Sequence, residues 1–149
     1  YYKAAALEKV GRYKDILPLL NMWETMLDNN CTTWSESLAF PRSECHGWSS
    51  VPTYILPEVV LGVSPTAEGF RRIKIRPETG ELSYARGNIP TPYGKIYVEW
   101  RKTDRSFAIK VQSDYECIKE IYIPGPKQKI CSENFVELKY EETEKLFAV

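Results

Sequence analysis

The residue pattern predicts an α+β chain in which a helical N-terminal portion is followed by an antiparallel β-sandwich. Three observations carry that expectation. Apolar residues recur at helical spacing up to about residue 61, and they alternate with period two after Ser64-Pro65. The later runs are also parted by Pro- and Gly-rich turns at short intervals, as in sandwiches. The expected units are therefore 1–64 and 65–149.

Tyr1 to Val10 reads as the end of a helix, stopped by Gly11 as a C-terminal cap. Ile16, Leu19, Leu20, Trp23, Met26 and Leu27 then lie on one helical stripe, with Asp15 as N-cap and Pro18 in the first turn. Asp28-Asn29-Asn30 ends this run with residues that tolerate left-handed backbone. A further helix is expected from about His46 to Leu61, with Trp48, Val51, Tyr54, Ile55, Val59 and Val60 as its buried side and Gly62 at its end. Pro57 in its interior removes a ladder bond, so a kink or break is expected there.

Strands are expected at 71–76, 81–85, 94–101, 106–111 and 118–123, and near Val136 and Leu146. Turns are placed at 90–94 and at Pro124-Gly125-Pro126. Arg71, Arg72, Lys74 and Arg76 alternate with Ile73 and Ile75, which reads as a charged outer face or edge that discourages pairing. Tyr84, Tyr93, Tyr97 and Trp100 offer the alternative of a carbohydrate-binding surface.

With 43% hydrophobic and 13% aromatic residues, the 149-residue chain has enough apolar material for a core. Twenty basic residues balance twenty acidic ones, so the summed field attracts neither nucleic acid nor anionic membranes. Apolar runs such as Val59-Val60-Leu61 fall far short of the roughly 20 residues of a membrane span. Cys31, Cys45, Cys117 and Cys131 lack zinc-type spacing and only one His is present, so no metal or other cofactor is expected. The cysteines read as buried or partly buried free thiols, with a Cys31–Cys45 disulfide as the alternative. Tyr1-Tyr2-Lys3 starts inside a helical pattern without an initiator Met, and the helical portion is too small to bury apolar faces by itself. The chain is thus expected to be a piece of a larger protein, whose remainder is its natural partner.

The stretch from Cys31 to Ser50 concentrates two Trp, two Glu, one Arg and the single His in a loop between helices. Such a set suits a sugar: pyranose faces pack on aromatic rings, hydroxyls require fixed donors and acceptors, and glycoside cleavage requires carboxylates. Each residue also has a plainer reading. Glu36 can be a solvated loop residue, and Glu44 can complement the next helix start. Trp34 and Trp48 can be core aromatics, and His46 a helix-start histidine.

The ordered motifs Thr32-Thr33-Trp34-Ser35-Glu36, Cys45-His46-Gly47-Trp48-Ser49, Leu61-Gly62-Val63, Gly69-Phe70-Arg71, Ile75-Arg76-Pro77, Ala85-Arg86-Gly87 and Thr91-Pro92-Tyr93-Gly94 resemble the C-terminal third of bacterial α-L-rhamnosidases. The likeness runs from Gly11 to about Arg101. It implies that residues 1–62 are the last helices of a six-hairpin (α/α)6 barrel, followed by a C-terminal β-sandwich, and that the substrate is a rhamnoside. It also implies that Glu36 is the general base of an inverting glycoside hydrolase, that His46 contacts sugar hydroxyls, that Trp34 lies against the sugar, and that Trp48 lies either against the sugar or packed under it. The family's usual form has Trp directly before the Glu, whereas Ser35 stands there in this chain, a departure that touches the Trp34 contact. The general acid comes from an earlier part of the barrel, so the chain alone is expected to be inactive. The resemblance is bacterial and leaves cytoplasm and periplasm equally open. Two other readings are a non-catalytic carbohydrate-binding or structural module and a six-hairpin glycosidase acting on another sugar.

Overall fold

The structure is a computed structural model that describes residues 1–37, 39, 42–123, 129–132, 136–141 and 144–148. Its contacts divide the chain into two compact units, Tyr1–Leu56 and Pro57–Val149. Residues 57–64, placed with the helices by the period change, group instead with the sheets. The reason is visible in their carbonyls: Val59 accepts from the Glu78 N–H (2.9 Å), Val60 from the Trp100 Nε1–H (2.9 Å) and Gly62 from the Arg76 N–H (2.8 Å).

In the first unit, α1 (Tyr2–Lys9) ends as expected at Gly11, which takes φ 74°. The Gly11 N–H donates to the Glu8 carbonyl and the Arg12 N–H to the Leu7 carbonyl, the two reverse bonds that satisfy a helix end. The next stretch differs from the expected single α-helix. It consists of 3-10 turns at Tyr13–Asp15 and Leu17–Trp23, and only then α2 (Glu24–Asp28). A 3-10 segment advances three residues per turn, so side chains that share a stripe at 3.6 residues rotate off it. Ile16 and Met26 stay buried while Leu27 is 74% exposed. Asp15 is not a cap: it lies within the first 3-10 turn, and its carboxylate accepts from Arg12 Nε at 2.6 Å. The end of α2 is as expected, with Asn30 at φ 56° and its N–H and that of Cys31 closing onto the Leu27 and Met26 carbonyls.

The last helical stretch is also broken. A 3-10 turn at Gly47–Ser49 precedes α3 (Pro52–Ile55), and the chain then widens into π register over Leu56–Val60. Pro57 explains the widening: in α register its ring would press on the Thr53 carbonyl and leave that acceptor without a donor. Trp48, expected on the buried side, is 61% exposed, because the 3-10 turn starts the stretch out of phase with the α-helical stripe. Among the described residues, no helix is long and apolar enough to cross a membrane.

Among the described residues the second unit holds nine strands: β1 (Val63–Pro65), β2 (Arg72–Ile75), β3 (Tyr84–Thr91), β4 (Gly94–Lys102), β5 (Ser106–Ser113), β6 (Ile118–Tyr122), β7 (Lys129–Ser132), β8 (Val136–Glu141) and β9 (Glu144–Ala148). They form one sheet in the order β1-β2-β6-β7 and a second in the order β3-β4-β5-β8-β9. The antiparallel expectation needs one correction: β2 and β6 are parallel, with Ile73 opposite Lys119. Between them the chain runs through β3, β4 and β5 in the other sheet, a connection long enough to return a strand in the same direction. Strand β3 extends beyond the expected 81–85 and includes Pro90, which an edge position permits because its missing N–H interrupts no second ladder. The turn expected at 124–126 lies outside the described residues.

Alternation buries Ile96, Val98 and Trp100 of β4 and Phe107, Ile109 and Val111 of β5, and likewise Ile73 and Ile75 of β2. The charges of β2 therefore form an outer face, but β2 lies between two strands and is not an edge. Trp100 is fully buried, which removes it from any sugar-binding surface.

Gly62 sits at φ 76°, and a Cβ there would lie 2.2 Å from the Arg76 carbonyl carbon and 2.3 Å from the Pro77 nitrogen. Both neighbours are backbone and cannot step aside. Gly62→Ala is expected to destabilise the chain by about 3 kcal/mol, combining left-handed strain with a forced backbone shift. A shift of the urea unfolding midpoint measures this; an unchanged midpoint would show that the close approach is relieved at no cost.

Candidate functional site

The loop between α2 and the Gly47–Ser49 turn folds back on itself as two limbs, 32–36 and 42–46. The Glu36 N–H donates to the Ser43 carbonyl (2.9 Å), the His46 N–H to the Trp34 carbonyl (2.6 Å), and the Thr33 hydroxyl to the Glu44 carbonyl. These cross-limb bonds do what a sheet ladder does, without regular strand structure. Ser35 is buried, and its hydroxyl donates to the Ser37 carbonyl at 2.8 Å, bending the first limb directly before Glu36. Trp34, Glu36 and His46, singled out in sequence, are thereby brought to one hairpin, each half-buried. Leu38, Phe40 and Pro41 lie outside the described residues.

The Glu36 side chain is 21% exposed and is held by Arg42: Nε donates to Oε2 at 3.1 Å and Nη2 donates to Oε1. The Arg42 hydrogen bond holds the Glu36 carboxyl below the usual glutamate range, against an opposing contribution from desolvation and with smaller pulls from the Arg42 and His46 charges. A carboxylate offers about four lone-pair directions, and the guanidinium takes two of them. The others remain able to accept from water or a hydroxyl. Arg42 was not among the expected site residues, and nothing in its spacing marks it, since a six-residue separation within a loop has no fixed geometry.

Because the folded-state pKa of Glu36 is depressed, the pairing contributes stability above the unfolded-state value and loses it as pH falls through the folded value. Arg42→Gln is expected to raise the Glu36 pKa toward the ordinary glutamate value, as read from side-chain carboxyl carbon shifts in an acid titration. A Glu36 that titrates identically in both proteins would contradict the pairing.

Trp48 does not join this group through any hydrogen bond. Its ring stacks on Tyr2 (5.6 Å, 29°) and lies 6.1 Å from Tyr1, which also meets Tyr54 edge-on. The Tyr54 hydroxyl donates to a Glu8 carboxylate oxygen. This aromatic cluster was not expected, because its members come from α1 and α3 and only the fold assembles them. Glu44 contributes its carbonyl to the hairpin, and no side-chain cap stands at the following 3-10 turn.

Next to the hairpin, a cavity of about 440 Å³ is lined by Leu20, Trp23, Met26, Trp34 and Leu56, with Thr32 and Thr33 at its polar side. The Trp23 Nε1–H donates to the Ser49 carbonyl (2.7 Å) and fixes one wall. Cys31 and Cys45 are exposed free thiols and Cys117 is a buried one, so the Cys31–Cys45 disulfide alternative falls, and among the cysteines whose side chains are described the expected burial holds for Cys117. Among the described residues, no three His, Cys, Asp or Glu side chains group to hold a metal ion.

Comparison with known proteins places this geometry in a context. Residues 62–134 match the family described as the bacterial alpha-L-rhamnosidase C-terminal domain. An alpha-L-rhamnosidase of Alteromonas sp. (strain LOR) is 28% identical over 148 residues, covering 88% of this chain and 16% of that protein. The chain thus spans about a sixth of the length of this curated relative. Among solved structures, the native α-L-rhamnosidase of Aspergillus terreus superposes with a TM-score of 0.66 at 23% identity, over 79% of this chain and 15% of the other. The Streptomyces avermitilis α-L-rhamnosidase, complexed with L-rhamnose, gives 0.61 at 18% identity, over 85% of this chain and 14% of the other. At these identities the structural likeness establishes the fold.

Proposed function

Because residues 62–134 belong to the bacterial alpha-L-rhamnosidase C-terminal domain family, we propose that this chain is the C-terminal part of an inverting glycoside hydrolase that removes terminal α-L-rhamnose. On this reading the helical unit, 1–56, is the end of the (α/α)6 barrel and the sheet unit, 57–149, is its C-terminal sandwich. The observation that carries it is the hairpin, which joins Glu36 to His46 and Trp34 by backbone bonds that fix all three together.

Glu36 acts as general base: its carboxylate, kept ionised by Arg42, takes a proton from a water that attacks the anomeric carbon. As that bond forms, the glycosidic oxygen leaves from the opposite face and is protonated by a second carboxyl group. In an inverting pair the two groups stand about 6.5–9.5 Å apart, leaving room for the water. The second group is supplied by the remainder of the enzyme's barrel. His46 hydrogen-bonds the sugar hydroxyls, Trp34 packs on an apolar face of the ring, and Trp48 adds an exposed aromatic surface at the start of the following helix. No cofactor takes part.

With one carboxylate of the pair, the 149-residue chain alone is expected to release no rhamnose from an aryl α-L-rhamnoside. Hydrolysis above the blank by the purified chain would overturn the assignment of the acid to the rest of the enzyme.

A further inference from the structure

The outer face of the β3-β4-β5 sheet carries a second arrangement, apart from the Glu36 hairpin. Along β4 Tyr97, Glu99 and Arg101 point outward; in register Glu99 faces Arg86 on β3 and Lys110 on β5, Arg101 faces Tyr84 and Ala108, and Tyr97 faces Asn88 and Gln112. Glu99 accepts from the Tyr97 hydroxyl at one carboxylate oxygen and from Arg101 Nη2 (3.2 Å) at the other. The Arg101 guanidinium in turn lies over the Tyr84 ring, 4.6 Å from its centroid. Each of these side chains is thus fixed by its neighbour, so a ligand would find them already ordered. The Glu99 side chain is only 24% exposed. Beside it the small Ala108 leaves a dent of about 270 Å³, walled by Glu99, Arg101 and Lys110.

We propose that this dent binds one neutral monosaccharide ring, as a saccharide site separate from the Glu36 hairpin and independent of that assignment. Its size, just under the roughly 300–1,000 Å³ of drug-sized sites, suits one ring and not an extended glycan. The chemistry of the rim selects the ligand. A guanidinium and a carboxylate side by side match a vicinal diol: one hydroxyl accepts from Arg101 while its neighbour donates to a remaining lone pair of Glu99. The same rim disfavours cations, since Arg86, Arg101 and Lys110 outnumber Glu99, while the Arg101 charge that an anion would seek is already paired with Glu99. The Ala108 methyl and the Arg101 and Lys110 stems supply apolar contact for the C–H groups of the ring. Glu99 stays ionised in this setting: the Tyr97 hydrogen bond holds its carboxyl below the usual range, against desolvation and with help from Arg101.

The test is a titration of the ¹⁵N-labelled 149-residue chain with L-rhamnose, D-mannose and D-galactose, and separately with sodium D-glucuronate. Saturable amide shifts at Glu99, Arg101, Ala108 and Lys110 are expected with at least one neutral sugar, with a dissociation constant on the order of 1–10 mM. Arg101→Ala should weaken that binding about tenfold, the loss of one charge-assisted hydrogen bond. Ala108→Val fills the dent at a position where a β-branched residue suits a strand, and should abolish the shifts while leaving the spectrum folded. Three results would overturn the proposal: no saturable shift at these amides with any neutral sugar, shifts confined to residues 32–48, or binding of glucuronate that equals or exceeds that of the neutral sugars. The second of these would leave the Glu36 reading standing.

Discussion

On the proposed reading, Glu36→Gln in the full-length enzyme is expected to lower kcat by about 10²–10⁴ while KM changes little, because a general base contributes that much and acts only in the transition state. The substitution keeps the shape of the side chain and one oxygen that can accept from Arg42. What it removes is the ability to take up a proton from water. Equal falls in kcat and kcat/KM are the signature of an interaction made only in the transition state. A variant with near-normal turnover would take Glu36 out of the mechanism. Arg42→Gln should act differently: Glu36 becomes more basic, the acidic limb of the pH–rate profile moves to higher pH, and turnover at neutral pH persists.

Trp100→Ala is expected to destabilise the sheet unit by about 3–5 kcal/mol, the range for removing a large buried aromatic side chain. Trp100 has no exposed surface, stacks on Phe107 at 6.1 Å, and donates from Nε1 to the Val60 carbonyl. Its loss opens a cavity and also leaves a buried acceptor without a donor, and these two costs add. Trp100→Phe separates them, since it retains most of the packing and should cost roughly 1–3 kcal/mol through the lost hydrogen bond and the residual void. Against a typical total stability of about 5–15 kcal/mol, the alanine variant should show a large fall in the urea midpoint. A change below about 1 kcal/mol would mean that this tryptophan is not the centre of the core.

Much of the fold was legible because local rules and tertiary packing agree there. Gly11 and Asn30 ended their helices as backbone preference dictates, and β4 and β5 followed from strict alternation around Ile96, Val98, Ile109 and Val111. Pro57 announced a distorted helix, and the chain answers with a π turn. What escaped the pattern depends on relations between distant residues. Strand β1, of three residues, is too short to alternate visibly, and it exists because Val63–Pro65 pairs with Ile73–Ile75. The parallel pairing of β2 with β6 likewise follows from the route between the sheets and leaves no mark on either strand.

The helical stripe from Ile16 to Leu27 was overread, because a spacing compatible with 3.6 residues per turn does not exclude tighter 3-10 turns. At the candidate site, composition alone did not separate Glu36 from an ordinary loop glutamate. The motif resemblance singled out Glu36, His46, Trp34 and Trp48, and the hairpin unites the first three. Trp48 instead stacks on Tyr2, and Arg42 enters through a loop closure that no local period encodes.

The most direct test of Glu36 as the general base is azide rescue of Glu36→Ala in the full-length enzyme acting on an aryl α-L-rhamnoside. Azide is an anionic nucleophile that needs no deprotonation, and it can occupy the space vacated by the carboxylate and its water. The expected result is that azide restores much of the lost turnover and yields the rhamnosyl azide of inverted anomeric configuration. A variant whose rate azide leaves unchanged, or one that hydrolyses the substrate at a near-normal rate without it, would contradict the assignment.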